Sequence, residues 1–326
     1  MTPRSRTGNS LRWLLLAVIA GIAAAVAAAC RAPGRGPAPP ATCEVWVTRD
    51  YGAALLKQAR TEVSPEETVM DVTGRVCRVE TAYGGGFVRA LDGLASTGRR
   101  SSQGGDWFYY VDGVLEGRGA LETRVPAGSI VWWDYHNWSG GGGILTALVG
   151  AWPRPLDSGG RILFTASAAS YGRRLEEAIG SAGGRCSLAA YAGESLENRQ
   201  SPTLLVGLAS EVLDLQWLSG LFRNAWRAGL PGTVREQGLV GLDAAGREVF
   251  QWRDGAALII ATGSYMGDRK PLWLVVGWDE TGLETAVTLL TGGSNAAPRL
   301  EHAFGLAVTP AGTVRLPIDR TGGGAP

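Results

Sequence analysis

The 326-residue sequence predicts an α+β protein built from two unlike parts, and three observations support this prediction. Aromatic-rich runs that alternate like strands lie between residues 43 and 138. One helix pattern interrupts them. After residue 161, wholly apolar strand runs alternate with helix patterns. We therefore expect a small β-rich domain at residues 43–138, a linker at residues 139–160, and an α/β domain at residues 161–320.

The first thirty residues are typical of a targeting segment. Three early arginines precede an apolar run at residues 13–29, and Ala27-Ala28-Ala29-Cys30 offers a cleavage site. This pattern resembles a bacterial lipoprotein signal, which implies a signal peptide at residues 1–29 and lipidation of Cys30. A single membrane-spanning anchor is the alternative, since the apolar run reaches the lower length limit for a bilayer.

Both interpretations place the rest of the chain outside the cytoplasm at the cell membrane. Residues 30–42 are rich in proline and glycine and have no apolar periodicity, so we expect a tether there. Arginines and acidic residues are interspersed at a net charge of +1, which gives no basic surface for a nucleic-acid partner.

Cysteine and histidine usage argues against a metal centre. The sequence has two histidines and no paired-cysteine spacing, so no metal site is expected. Cleavage before Cys30 would leave Cys43, Cys77 and Cys186, an odd number of further thiols. A Cys43–Cys77 disulfide and buried free thiols both remain open.

The element order within residues 43–138 is strand, strand, helix, then several strands. Strand runs appear at residues 45–48 and 52–63, and Ser64-Pro65-Glu66-Glu67 predicts the start of a helix. The strand at residues 87–91 ends in Asp-Gly, and the strand before Gly113 ends in the same dipeptide. A mixed sheet covered on one face by one helix is the simplest solution, which is the β-grasp arrangement.

The stretch from Trp107 to Trp138 holds the densest aromatic pattern in the chain. In its last strand, Val131, Trp133 and Tyr135 share one face and indicate a core. The opposite face carries Trp132, Asp134 and His136, a mixture that favours a surface facing a ligand or a partner. The alternative is that Trp132 packs beneath a neighbouring loop.

Three motifs in this region carry a resemblance to a known family. They are Phe87-Val-Arg-Ala-Leu-Asp-Gly-Leu-Ala95, Trp107-Phe-Tyr-Tyr-Val-Asp-Gly113 with Gly117 and Gly119, and Pro126-Ala-Gly-Ser-Ile-Val-Trp-Trp133. Together they resemble the transcobalamin-type C-terminal domain, also known as the DUF4430 family, over roughly residues 43–138. The resemblance implies a β-grasp-like fold. In the vertebrate cobalamin carriers such a domain closes over the corrin ring from one side, and the helical toroid opposite it has no counterpart here.

A corrin or a similar flat macrocycle presents a broad apolar face with a rim of amides, which aromatic side chains and a few hydrogen bonds would recognise. Cobalamin is therefore the candidate ligand, and no resident cofactor is expected. His136 has two open roles, axial approach to cobalt or hydrogen bonding within an aromatic cluster. The predicted ligand-binding residues are Tyr83, Gly85, Phe87, Trp107, Tyr109, Trp132, Asp134, His136 and Trp138.

The second part of the chain carries little recognisable chemistry. Two acidic residues in Gly277-Trp-Asp-Glu280 indicate helix capping rather than phosphate binding. Ser264 lies between glycines without the spacing of a nucleophile elbow, so we expect no serine hydrolase and no enzymatic activity. Residues 262–269 form a polar loop after a buried strand, which makes them a second candidate site.

The leading hypothesis is a membrane-anchored extracytoplasmic binding lipoprotein that captures cobalamin or another large flat ligand and presents it to a transporter permease. The alternative is a cell-surface interaction or adhesion module that binds a protein or a cell-wall polymer. Stacked aromatic residues serve both functions.

Overall fold

The computed structural model describes residues 40–97, 104–138, 143–292 and 297–320. It confirms the predicted α+β class, with mixed sheets that are partly parallel. The predicted signal peptide, Cys30 and all but the last residues of the tether lie outside the described residues. Within the described residues, no helix is long and apolar enough to cross a bilayer.

A five-stranded sheet forms the centre of the N-terminal part. The elements in chain order are β1 (Thr42–Arg49), β2 (Ala54–Glu62), α1 (Val69–Val76), β3 (Val79–Ala82), β4 (Phe87–Leu91), β5 (Leu94–Ala95), β6 (Asp106–Val111), β7 (Val114–Leu115) and β8 (Ile130–His136). The sheet order is β2-β1-β8-β6-β7, and β1 and β8 form its parallel pair. Strands β3, β4 and β5 form a separate small sheet.

Helix α1 begins later than the sequence analysis predicts. Its N-cap is Thr68, whose side chain accepts from the Asp71 amide while Asp71 accepts from the Thr68 amide. The predicted start at Ser64 instead forms a preceding turn, because the Glu67 carboxylate accepts from the Ser64 amide at 2.7 Å. The two Asp-Gly turns are confirmed, since Asp92, Gly93, Asp112 and Gly113 all have positive φ.

A seven-stranded sheet forms the centre of the C-terminal part. The further elements are β9 (Ser158–Phe164), α2 (Ala169–Ser181), β10 (Arg185–Ala190), β11 (Thr203–Leu208), α3 (Ala209–Leu213), α4 (Gln216–Arg223), β12 (Gly232–Arg235), β13 (Gly238–Leu242), β14 (Glu248–Trp252), β15 (Ala257–Thr262), β16 (Leu272–Gly277), α5 (Glu280–Thr291), α6 (Ala297–Leu300), β17 (Gly305–Thr309) and β18 (Gly312–Leu316). The order is β10-β9-β11-β16-β15-β17-β18, parallel from β10 to β16 and antiparallel beyond.

The apolar strands β11, β15 and β16 are buried on both faces, as their composition predicts. Helices α2 and α5 cover one face. The Asp279 side chain caps α5 by accepting from the Gly282 amide at 2.8 Å, which confirms the capping interpretation. Between β11 and β12 the chain forms two separate short helices, α3 and α4.

The five-stranded sheet and the C-terminal part share one hydrophobic core. Trp46, Tyr110 and Trp132 of the first sheet belong to the same buried cluster as Phe304 and residues on the second face of the seven-stranded sheet. Residues 144–152 lie between the two parts, since the Leu148 amide donates to Gly113 and the Gly150 amide donates to Ala303. The chain from residue 41 onward accordingly forms one structural unit.

Candidate functional site

The alternation predicted for β8 is present, but both of its faces are buried. Trp133 lies in a core beneath α1, as predicted. Trp132 is 0% exposed and packs edge-on against Phe304, with ring centroids 5.3 Å apart. The interpretation of this second face as an open ligand surface is wrong, because residues of the C-terminal part cover it.

Asp134 and His136 are also enclosed, and they hold the turn after β1 in place. The Asp134 carboxylate accepts from the Thr48 hydroxyl at 2.5 Å and from the Tyr51 and Gly52 amides. His136 Nδ1 lies 2.7 Å from Asp134 Oδ1, and its ring stacks between Tyr51 and Phe108. Of the two roles open for His136, the structure therefore supports hydrogen bonding within an aromatic cluster.

The other aromatic residues predicted from this stretch also have structural partners. The indole of Trp107 donates to the Leu94 carbonyl at 2.9 Å, and the half-buried Trp138 donates to Asp106 at 2.6 Å. The Tyr109 hydroxyl donates to the Arg118 carbonyl at 2.6 Å, and burial raises the pKa of Tyr109 to about 12. Trp107 and Tyr109 are buried, so their predicted ligand contacts are corrected to packing and loop support.

The remaining predicted residues, Tyr83, Gly85 and Phe87, lie together at the surface. Tyr83 is 90% exposed and Phe87 is 40% exposed, and their rings meet edge-on at 6.2 Å. Tyr83, Gly84 and Gly85 have φ values of 52°, 71° and 98°. A tyrosine in the left-handed region is strained, and strain that burial does not explain is characteristic of functional loops.

A second loop of the N-terminal part lies against this exposed group. A methyl group of Leu121 lies 3.3 Å from the position of a Cβ built on Gly85, and Leu121 is itself exposed. The Gly117-to-Arg124 loop that carries Leu121 is held from within by Tyr109 and Thr123, whose hydroxyl oxygens are 2.9 Å apart. An exposed apolar patch on a supported loop is therefore present beside Phe87.

The same loop also borders a polar cavity of about 590 Å3. The cavity lies where the Gly117-to-Arg124 loop meets the 262–269 loop that the sequence analysis selected as a second candidate site. The Gly267 amide donates to the Leu115 carbonyl at 2.7 Å and fixes this junction. The lining comprises Glu116, Gly117, Arg118, Glu122, Thr123, Arg124, Met266, Gly267 and Arg269.

Ion pairs hold the two loops that form the cavity. Arg269 pairs with the buried Glu116 at 2.5 Å, and burial raises the pKa of the Glu116 carboxyl although Arg269 opposes the shift. Asp268 is buried beside Arg199 at 3.3 Å and accepts from the Ser264 amide. These contacts fix the conformation of the 262–269 loop, and the Ser264 backbone takes part in them.

We name Tyr83, Gly85, Phe87, Leu121 and the adjoining polar cavity the Tyr83 surface. Its exposed rings and Leu121 offer an apolar platform. The cavity, which is lined in part by the loop that carries Leu121, offers guanidinium donors and carboxylate acceptors. Such a surface can bind a molecule that combines an apolar face with a rim of hydrogen-bonding groups.

Leu121 and most residues lining the cavity were missed by the sequence analysis. The available signal was the glycine pair Gly117 and Gly119, which marks a shaped loop, but spacing alone does not reveal which distant loop approaches it. Within the described parts of the chain, no cluster of histidine, cysteine or acidic residues can hold a metal ion. Cys43, Cys77 and Cys186 are free thiols there.

A family comparison matches part of the chain that includes residues of this surface. The sequence model of a family described as "Domain of unknown function (DUF4430)" matches residues 66–137. That match includes Tyr83, Phe87 and the Gly117-to-Arg124 loop, whereas the 262–269 loop lies outside it. A comparison of the chain with curated proteins gave no match.

Proposed function

We propose that this protein is an extracytoplasmic binding protein, anchored through Cys30, whose Tyr83 surface captures cobalamin or a similar large flat ligand. The observation that carries the proposal is the exposed, strained Tyr83 beside Phe87 and Leu121, where Leu121 lies on a loop that also lines a polar cavity. An apolar platform with a polar edge complements a macrocycle that has an apolar face and an amide rim.

The topology of the N-terminal part supports the β-grasp component of this proposal. A hairpin of β1 and β2 precedes helix α1, and the last strand, β8, pairs parallel to β1 at the centre of the sheet. The Tyr83 surface lies on the loops outside this sheet, so a ligand can bind there without unpacking either core. Delivery of the ligand to a transporter permease would complete the function without an enzymatic step.

The test is calorimetric titration of the full chain in uncharged detergent with cyanocobalamin. Replacing Tyr83 with Ser should weaken binding by roughly 1 to 2 kcal/mol, or about tenfold, because an exposed ring that stacks on the ligand is lost. Leu121→Ser should also weaken binding. Leu56→Ser is the matched control, since Leu121 and Leu56 are both 46% exposed and Leu56 lies on β2.

Two outcomes would argue against the proposal. Equal losses in Leu121→Ser and Leu56→Ser would mean that exposed apolar area, rather than this surface, drives binding. No heat with cyanocobalamin, despite folded variants, would exclude this ligand. In that case the exposed rings would favour the cell-surface interaction module, because large exposed apolar groups also mark protein interfaces.

A further inference from the structure

A second cavity, of about 600 Å3, lies away from the residues of the Tyr83 surface, where the five-stranded sheet meets the C-terminal part. Strand β1 contributes Glu44 and Trp46, and the segment after β8 contributes Trp152. Helix α5 contributes Leu290, the last residue of α6 is Leu300, and Glu301 follows it. Its volume falls within the range of small-molecule sites, about 300 to 1,000 Å3.

The two tryptophans present carbon surface to this cavity. The Trp46 indole N–H donates to Glu44 Oε2 at 3.0 Å, and the Trp152 indole N–H donates to the Leu290 carbonyl at 2.9 Å. Because both N–H groups already have acceptors, neither indole has a free donor for a ligand. Trp46 is 3% exposed and Trp152 is half-buried, so Trp152 supplies most of the accessible ring surface. The bonds also fix the ring orientations, so little side-chain entropy remains to be lost on binding.

The charge of the lining has one sign. Glu44 and Glu301 are its charged residues, and the residues that line the cavity include no lysine or arginine. Burial and, to a lesser degree, the neighbouring Glu44 carboxylate raise the pKa of the Glu301 carboxyl. Glu44 pairs outward with Arg60 at 3.1 Å.

Glu301 differs from Glu44 in having no cationic partner for its carboxylate among the described residues. The Arg315 guanidinium donates to the backbone carbonyl of Glu301 at 2.9 Å rather than to its carboxylate. The ionised Glu301 side chain is half-buried beside the Glu44 carboxylate. A cation bound within the cavity would therefore stabilise its negative charge. Indole rings attract cations as well, most strongly when water is excluded.

We propose that this cavity, lined by Trp46, Trp152, Glu44 and Glu301, binds a small organic cation of the substituted-ammonium class. The carboxylates supply the opposite charge, and the indole and leucine surfaces accommodate the alkyl groups. A quaternary ammonium ion suits the site better than a metal ion, since the apolar lining cannot replace the hydration shell of a hard cation. This binding site is independent of the proposed function of the Tyr83 surface.

The experiment compares choline with 3,3-dimethylbutan-1-ol, a neutral molecule of nearly the same shape. Calorimetric titration of the full chain in uncharged detergent at low salt should show choline binding, with the alcohol at least about tenfold weaker. Glu301→Gln keeps the side-chain shape but removes the charge, and it should weaken choline binding about tenfold. Glu44→Gln provides a second variant if Glu301→Gln does not fold.

Glu62→Gln is the control variant, because Glu62 is exposed on β2 and does not line the cavity. It should bind choline as the unmodified chain does, and so should Tyr83→Ser. Equal affinity for choline and the alcohol would overturn the proposal, since the cavity would then recognise shape alone. Equal weakening by Glu62→Gln and Glu301→Gln, or no choline binding at millimolar concentrations, would overturn it too.

Discussion

Trp132 and Trp133 are adjacent in sequence, yet their side chains enter different cores. The Trp132 indole donates to the Thr48 hydroxyl at 2.7 Å within the core that the two parts share. The Trp133 indole donates to Thr73 at 2.9 Å beneath α1. Period-two alternation separates these residues correctly, but it cannot show that both faces of the strand are covered.

Because both tryptophans are buried, Trp132→Ala and Trp133→Ala should each lower the free energy of unfolding by about 3 to 5 kcal/mol. The exposed Tyr83→Ala should change it by less than about 0.5 kcal/mol. Chemical denaturation monitored by circular dichroism measures these differences. A Trp132→Ala variant as stable as Tyr83→Ala would contradict the burial of Trp132 in a shared core.

Burial of His302 in the same shared core makes the stability of the protein depend on pH. Its ring lies 4.7 Å from that of Trp46, and burial, assisted by Arg315, lowers its pKa from 6.5 to about 4, while Asp134 opposes the shift. The unfolded chain therefore takes up a proton at a higher pH than the folded one. The contribution of neutral His302 to the free energy of unfolding is therefore fully present above pH 6.5, and it decreases as the pH falls towards 4.

The expected loss of unfolding free energy across that range is roughly 3 kcal/mol, because a tenfold change in proton concentration contributes about 1.36 kcal/mol while only the unfolded chain is protonated. His302→Asn removes the titration, and asparagine tolerates the positive φ of 62° at this position. Urea denaturation between pH 7 and 4 should give a flatter profile for His302→Asn than for the unmodified chain. Parallel profiles would show that His302 is protonated equally in both states.

At the scale of single elements, local patterns predicted strands better than helix ends. The strands β8, β11, β15 and β16 and both Asp-Gly turns follow from alternation, apolar runs and turn chemistry, which act over a few residues. The start of α1 was misplaced because two possible N-terminal boxes follow one another. Tertiary contacts select the second, since the Val69 amide donates to the Thr123 carbonyl and Val69 is fully buried.

Because the N-cap of α1 is Thr68, substitutions at Thr68 and at Ser64 should have unequal effects on stability. Thr68→Ala removes the acceptor for the Asp71 amide and should lower the free energy of unfolding by about 1 kcal/mol. Ser64→Ala should cost less than about 0.5 kcal/mol, because the Ser64 backbone makes the contact with Glu67. Thermal unfolding of both variants measures the effect, and a larger loss for Ser64→Ala would place the N-cap at residue 64.

At the scale of the whole molecule, the sequence pattern did not show how residues 43–138 and residues 161–320 pack against one another. Alternation shows which residues share a face, whereas the partners that cover a face come from distant positions. Phe304 covers Trp132 in this way, and Arg269 pairs with Glu116 to shape the polar cavity. Tyr83, Gly85 and Phe87 were selected from aromatic composition and a glycine run, and they lie at the surface, but their ligand-binding role stays a prediction.

Binding of the ligand at the Tyr83 surface can be tested by amide hydrogen exchange of the full chain with and without cyanocobalamin. Exchange should slow in peptides covering residues 83–87, 117–124 and 262–269, because a ligand on this surface would restrict opening of all three loops. Peptides covering the second cavity, residues 44–46 and 299–301, should be unchanged. Protection at the second cavity alone, or no change at residues 83–87, would contradict ligand binding at the Tyr83 surface.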